Sequence, residues 1–394
     1  KKVIALAVAA LASSAAFAQT NVTVYGVADM YYGHVSANGN KAVNALNSGG
    51  LAGSRIGFKG SEDLGNGLKA LFTLEYGLAL DQNSGLTDQA SNSARQQFVG
   101  LSSAKLGTVV AGYLQTAGYD FACAANPLAG GALDGYNLIS GGAAALNCGA
   151  KGRANNAIAY ISPSFAGLTF AYNHARLTEG ATYYNSVTGN DERDSKEMTA
   201  NLFSVAYANG PISAGAIYSR LNGNTDGMSG LWNASLQNNV LSWASSNVLN
   251  NNAHITEWGL RASYDFGVAK LFTSYQRENQ NLVSGANSKF QVSAAIPTTA
   301  TGKAIVMFAQ NKMGENAVEK DRSRAYSLAY THGLSKRTTL YAGYTRISNQ
   351  DNAKVGAFGI YDTYNTNAFE GKLGVIPKTG ESASVFAMGV NHAF

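Results

Sequence analysis

The chain of 394 residues is poor in proline (5), cysteine (2) and charge, with Asp, Glu, Lys and Arg making up only 13% of it. That charge is about half of the roughly 25% usual for a soluble domain. A disordered chain would carry many charges and few aromatics, so disorder is excluded as well. No stretch approaches 18 consecutive apolar residues, and mean hydropathy is −0.10, so no segment reads as a membrane-spanning helix. Catalytic signatures are missing too. His34, His174, His254, His332 and His392 are scattered, with no H-E-x-x-H, paired Cys-His spacing, G-x-S-x-G elbow or phosphate-binding glycine loop. No catalytic residue, metal ligand or cofactor is therefore expected, and nothing points to nucleic acid. The residues do not propose a lipolytic barrel, which would need Ser, His and an orienting group to meet.

What the chain does have is 44 glycines, 21 tyrosines and 16 phenylalanines, a mixture that favours extended strands. Its length would hold two soluble domains, but a single barrel can also reach this size. The beginning stands apart. Lys1-Lys2, an apolar run over 3–12 and Ala16-Phe17-Ala18 have the basic end, short apolar core and small-x-small site of a secretory leader. Cleavage is expected before Gln19, giving a signal peptide over 1–18 and one domain over 19–394, with a small basic excess remaining.

From there the pattern has a period of two. Trp258, Leu260, Ala262, Tyr264 and Phe266 alternate with Arg261, Ser263 and Asp265. Leu68, Ala70, Phe72, Leu74 and Tyr76 alternate with Lys69, Thr73 and Glu75, and Ile56 and Phe58 with Arg55, Gly57 and Lys59. Phe386, Met388, Val390, His392 and Phe394 share one face of the last run. Alternation sends apolar side chains to one face of a strand and polar ones to the other. A half-buried soluble sheet would show the same, but these runs last about 9–12 residues, the span of a tilted strand across a bilayer, against about 5–6 in soluble proteins. Seven short turns, such as 62–66 and 333–336, alternate with eight long segments, among them 116–152, 222–253 and 349–381. That arithmetic gives sixteen strands, of which 287–296 and 303–310 carry the weakest pattern. Short turns at one end and long loops at the other suit a closed antiparallel barrel in an outer membrane, since closure leaves no sheet edge unpaired in lipid. Tyr25, Tyr31, Tyr32, Tyr76, Tyr160, Tyr172, Tyr207, Tyr264, Tyr326, Tyr330 and Tyr344 fall in or near strands, where interfacial aromatic girdles would use them.

Several motifs then carry a resemblance. They are Tyr25-Gly26 within Val22-Thr-Val-Tyr-Gly-Val-Ala-Asp29, Ser54-Arg-Ile-Gly-Phe-Lys-Gly60 with the turn from Glu62, and Arg95-Gln-Gln-Phe-Val-Gly-Leu101. Arg153-Ala-Asn-Asn-Ala-Ile-Ala-Tyr160, Leu334-Ser-Lys-Arg-Thr338 and the final Phe394 follow in order. Each is weak alone, but together they resemble the Gram-negative general porins, above all their beta-proteobacterial branch, over nearly the whole mature chain. The resemblance implies an all-β, sixteen-stranded antiparallel transmembrane β-barrel with an inward-folded third loop. It implies a homotrimer in the cell outer membrane, in contact with lipid and lipopolysaccharide, and passive diffusion of small hydrophilic solutes. It also implies that Phe394 is read by the outer-membrane barrel assembly machinery.

The resemblance places the third loop at about 116–152, with Asp120 and Asp134 as its carboxylates. Arg55, Arg95 and Arg153 match the positions of the family's basic cluster on the opposite wall. All three alternate with the apolar face, and Lys59 shares the face of Arg55. Opposed basic and acidic walls would set a transverse field in a narrow lumen. Four cations against two acids lead to an expectation of modest anion preference. The same arginines could instead pair with Glu75 or Asp29 and stiffen the wall. Gly112-Tyr113 stands where many members carry a basic residue, which weakens the basic side. Cys123 and Cys148 lie in the same loop. Export to an oxidising compartment favours a bridge, and two free thiols are the other reading. A substrate-preferring channel and an adhesin-type structural barrel, with 222–253 and 349–381 as binding loops, are the alternative functions.

Overall fold

The computed structural model describes residues 21–38, 40–82, 94–139, 145–177, 182–185, 190–193, 198–222, 254–280, 286–312, 322–351, 353, 377–378 and 380–394. The expected leader, its cleavage point and nearly all of 222–253 and 349–381 lie outside the described residues. The strands are β1 (Asn21–Ala37), β2 (Val43–Ser48), β3 (Arg55–Gly65), β4 (Leu68–Gly77), β5 (Ala94–Ser103), β6 (Gly107–Gln115), β7 (Arg153–Ile161), β8 (Leu168–Arg176), β9 (Thr182–Asn185) and β10 (Asn190–Arg193). They continue with β11 (Thr199–Asn209), β12 (Ile212–Asn222), β13 (His254–Asp265), β14 (Lys270–Gln280), β15 (Ala286–Pro297), β16 (Gly302–Lys312), β17 (Arg322–Gly333), β18 (Thr338–Asn349) and β19 (Ala383–Ala393). Between β6 and β7 lie the short helices α1 (Ala117–Cys123) and α2 (Gly135–Leu138) and a 3-10 turn, Ala150–Gly152. No helix among the described residues is long and apolar enough to cross a membrane.

Around the wall each strand pairs antiparallel with the next, β2 and β3 both pair with β1, β8 passes to β11, and β9–β10 form a separate ribbon. β1 closes the sheet against β19, from Val27↔Ala393 to Ala37↔Ala383. Its other edge pairs twice, with β2 over Met30↔Ser48 to Val35↔Val43 and with β3 over Asn21↔Ser61 to Val27↔Arg55. β2 and β3 thus occupy one wall position, interrupted at 49–54, and the barrel has sixteen strands. The weakly patterned hairpin is present as β15–β16, in register from Ser288↔Lys312 to Pro297↔Lys303.

Asp29 builds the interruption. Its Oδ1 accepts from Gly50 N (2.9 Å) and the Tyr341 hydroxyl (2.6 Å). Its Oδ2 accepts from Leu51 N, Ala52 N and Asn391 Nδ2 at 2.7–3.0 Å. A fully buried carboxylate thereby takes over the ladder bonds that 49–54 give up. Where the chain must turn tightly, at 65–67, three successive residues have φ of 85°, 53° and 76°, a run that Gly-Asn-Gly accommodates.

Burial is inverted relative to a soluble protein. Val99 is 63% exposed and Leu328 60%, with Val24, Leu46, Leu260 and Met388 also exposed, while Asp29, Glu75, Glu257 and Gln291 are buried. The period of two therefore holds with its apolar face outward. Of the expected girdle tyrosines, Tyr32, Tyr160, Tyr172, Tyr264, Tyr326, Tyr330 and Tyr344 are exposed. Tyr31 is not: it is buried, and Tyr25 turns to the polar face to donate to Glu75. The buried face is also less polar than the alternation implied. Ile305, Met307, Ala309, Ala325, Ala329, Ile347, Val385 and Ala387 form one cluster with Leu128, Leu133, Tyr136 and Ile139 from the β6–β7 connection. Phe121 and Leu146 of that connection join Ile217, Leu221, Leu202 and Ile255 in a second.

Candidate functional site

Two of the four predicted cations, Arg55 and Arg95, converge on one carboxylate. Arg55 opens β3, and Lys59 follows on the same face. Arg95 Nε donates to Glu75 Oε1 at 2.6 Å. Glu75 Oε2 accepts from the Tyr25 hydroxyl at 2.9 Å and lies 3.7 Å from Arg55 Nε. Lys59 Nζ sits 5.1 Å from the centroid of the Tyr25 ring. Arg153 stacks on Tyr119 of α1, its Cζ 4.7 Å from the ring centroid, and Arg95 Nη2 donates to the Tyr119 hydroxyl at 3.4 Å. Arg55 and Arg95 thus pair with Glu75, while Asp29 is taken up by other donors, and Arg95 and Arg153 meet at Tyr119.

Arg95 does not reach the cluster by plain alternation. It shares its parity with Val99 and Leu101, which are exposed. The pairing steps from Glu75↔Gln96 to Tyr76↔Ala94, so Arg95 is the extra residue of a β-bulge, and the bulge turns it to the buried face. A second irregularity falls between Gly112 and Leu114, next to Arg153. Gly112 has φ 145°, and a Cβ there would lie within 3.0 Å of Phe98 Cα and closer still to the Gln97 carbonyl. Glycine at 112 is thus demanded by the backbone.

The two predicted acids differ in fate. Asp120 in α1 is exposed. Asp134 is 1% exposed and caps α2, accepting from Asn137 N (3.2 Å), Gly130 N (3.0 Å) and Asn126 Nδ2 (3.2 Å). It therefore folds its own segment and does not face solvent. Burial pushes its carboxyl up to about 6, against those hydrogen bonds and the field of Lys289. Burial likewise raises the Tyr136 hydroxyl and lowers Lys151, the latter opposed by Glu278 and Glu257. Cys123 and Cys148 form a disulfide, with Cα atoms 4.8 Å apart, closing a 25-residue span.

Side chains on the buried face hold the 116–152 segment by its backbone. Asn173 accepts from Ala117 N (2.9 Å), and Glu257 from Ala145 N and Leu146 N (2.6 and 3.1 Å). Gln276 Nε2 donates to Leu146 O, Gln291 Nε2 to Ala125 O, Asn311 Nδ2 to Ile139 O and Thr345 Oγ1 to Leu133 O, all at 2.7–3.0 Å. Tyr136 donates to Gln276 Oε1 at 2.6 Å, and Lys289 Nζ lies 4.3 Å from its ring centroid. None of these partners was singled out from sequence. Their one signal was an amide, hydroxyl or acid at a buried-face position of β8, β13–β16 or β18.

A closed sixteen-stranded barrel with an apolar exterior and a cationic cluster on its polar face is a transmembrane β-barrel of the channel-forming type. The family profile described as Gram-negative porin matches residues 5–352, and the chain belongs to that family. Outer membrane porin protein 32 of Delftia acidovorans is 30% identical over 405 residues, covering 100% of this chain and 99% of the relative. An outer membrane porin of Bordetella pertussis is 28% identical over 389 residues, covering 87% and 92%. Among solved structures, the anion-selective porin from Comamonas acidovorans superposes with a TM-score of 0.71 at 26% identity, over 95% of this chain and 100% of that one. A trimer form of Vibrio cholerae OmpT shares the fold at a TM-score of 0.60 and 12% identity, over 95% and 99%. The protein is an outer-membrane porin, a channel for passive diffusion.

Proposed function

We propose that the channel admits small hydrophilic solutes and prefers anions modestly, and that 116–152 folds into the lumen to narrow it. The observation that carries this is the sharing of Glu75 by Arg55 and Arg95, with Lys59 and Arg153 close by, which leaves the group net cationic. The contacts of 116–152 with the buried face of β8, β13–β16 and β18 support the inward fold. The Arg55–Arg95 wall, which meets the start of that segment at Tyr119, bounds the passage. A cation cluster in a low-dielectric lumen raises the local anion concentration. Only charges within about 8 Å of the path count at physiological salt. The anion selectivity of the Comamonas protein agrees with this sign. Filtration is the whole activity, and no catalytic step is assigned.

A homotrimer in contact with lipid and lipopolysaccharide, with Phe394 as the element read during assembly, completes the proposal. Strands β3–β6 expose Leu64, Leu74, Val99 and Leu101, whereas Tyr172, Phe203, Tyr218, Tyr264, Tyr326 and Tyr344 are exposed on β8, β11–β13, β17 and β18. Aromatics mark lipid interfaces, so β3–β6 suit contact with another copy. Phe394 seals the β1–β19 seam, exchanging backbone bonds with Gly26 at 3.0 and 3.1 Å.

Single-channel recording in a planar bilayer under a KCl gradient tests the reading. Stepwise conductance with a reversal potential on the chloride side is expected. A potential on the potassium side refutes the charge assignment, and no conductance from folded protein refutes the open channel. Liposome swelling with graded sugars is expected to follow size alone; a sugar that departs from that order supports the substrate-preferring alternative.

A further inference from the structure

We infer that Arg261 of β13 is a further cation setting the ion preference of the passage, acting from the far side of α1 relative to Arg153. The inference rests on the channel reading above. Arg261 belongs to a polar alternation but to none of the motifs that carry the family resemblance. Its guanidinium carbon lies 5.9 Å from the centroid of the Phe121 ring, and its Nη1 donates to Ser213 Oγ at 3.3 Å. Its Nε is buried without a hydrogen-bond partner.

The seat for this arginine is built by two missing side chains. Gly215 is its register partner on β12, and a Cβ there would stand 3.1 Å from Arg261 Nε. A Cβ on Gly259 would stand 2.7 Å from Phe121 Cζ. Glycine weakens a strand interior, so two of them under one guanidinium and one ring mark a place where close approach matters. In α1 the order Tyr119-Asp120-Phe121 sets Tyr119 under Arg153 and Phe121 under Arg261, with exposed Asp120 between.

Charge compensation separates Arg261 from the main cluster. Arg55 and Arg95 converge on Glu75. Among the described residues no carboxylate forms an ion pair with Arg261, and Asp120 is the acid whose field reaches it. Asp120 thus lies between cations from β7 and β13. Anions entering the passage meet positive charge on both sides of α1.

The test is the reversal potential of the full chain in planar bilayers under a KCl gradient. Arg261→Gln is expected to lower the chloride-to-potassium permeability ratio about twofold, the effect of one unit charge near the path. Arg261→Lys, which keeps the charge, is expected to match the unmodified protein. Ser213→Glu, which sets a carboxylate beside the guanidinium and leaves the arginine in place, is expected to shift as Arg261→Gln does. An unchanged potential in the Gln and Glu variants overturns the inference. So does a Lys variant that shifts as far as the Gln variant, because seating of α1 would then be the cause. If the unmodified channel reverses on the potassium side, the anion-preference reading fails. Arg261→Gln must still move the potential further in that direction.

Discussion

Arg95 and Glu75 meet at 2.6 Å, both nearly buried, and the same carboxylate also serves Tyr25 and Arg55. Glu75 is thus the counter-charge that lets two guanidiniums share one wall. Glu75→Gln is expected to act in two directions. Removing a negative charge from the cluster moves the reversal potential toward the chloride limit. Removing the counter-charge of buried Arg95, which keeps its bond to Tyr119, costs up to about 3–5 kcal/mol, so the unfolding midpoint falls. Bilayer recording and denaturant unfolding of one preparation check both. A lower midpoint with an unmoved potential would take the cluster off the permeation path.

Neutralising Arg55, Arg95 and Arg153 together to Gln is expected to shift selectivity toward cations and to weaken its salt dependence. The cluster acts through a screened field, which fades as the screening length falls to about 3 Å at 1 M salt. Recordings at low and high KCl check it. A triple variant with the original reversal potential at both salts removes these residues from the mechanism.

The barrel was legible in the sequence because its signal is local. Leu260, Ala262 and Tyr264 against Arg261 and Ser263 declare a two-faced strand, and runs long enough to cross a bilayer declare which solvent the apolar face meets. The wall position of Arg55 was legible for the same reason. The alternation assigned to Arg95 does not hold, since a bulge shifts its parity and bulges leave no period of their own, so for this residue the family motif was the sound guide. The capping role of Asp134 was not legible: an acid three residues before Asn137 reads equally as a loop carboxylate or as a helix cap, and only the packing of 126–139 decides between the two. Asp29, Tyr119 and Arg261 were harder still. Their partners lie from 21 to more than 300 residues away along the chain, so no window of sequence holds the contact.

The Cys123–Cys148 bridge closes a span that the wall also holds through Gln276, Gln291, Asn311 and Thr345. The double Cys→Ser variant should therefore lose unfolding stability, by about 3 kcal/mol from chain entropy. Its open-channel conductance should stay close to that of the unmodified protein, because the wall contacts keep 116–152 seated. Denaturant unfolding with single-channel recording checks the pair of outcomes. A large conductance increase would mean that the bridge, and not the wall, fixes the passage width.

Asp134 makes stability depend on pH in a direction opposite to a paired surface acid. Its carboxyl is pushed up to about 6 by burial, above the ordinary value near 3.9. Folding therefore favours the protonated form. The contribution is fully present below the ordinary value and is lost as pH rises through about 6. A shift of that size is worth on the order of 3 kcal/mol for so deeply buried a group. Asp134→Asn keeps an acceptor oxygen for the Asn137 amide but carries no titrating proton. Between about pH 4 and pH 6.5 the unmodified barrel should lose stability relative to this variant. Unfolding midpoints of the two proteins across that range check it. Parallel pH profiles would show that the three donors from Asn126, Gly130 and Asn137 already hold the carboxylate ionised.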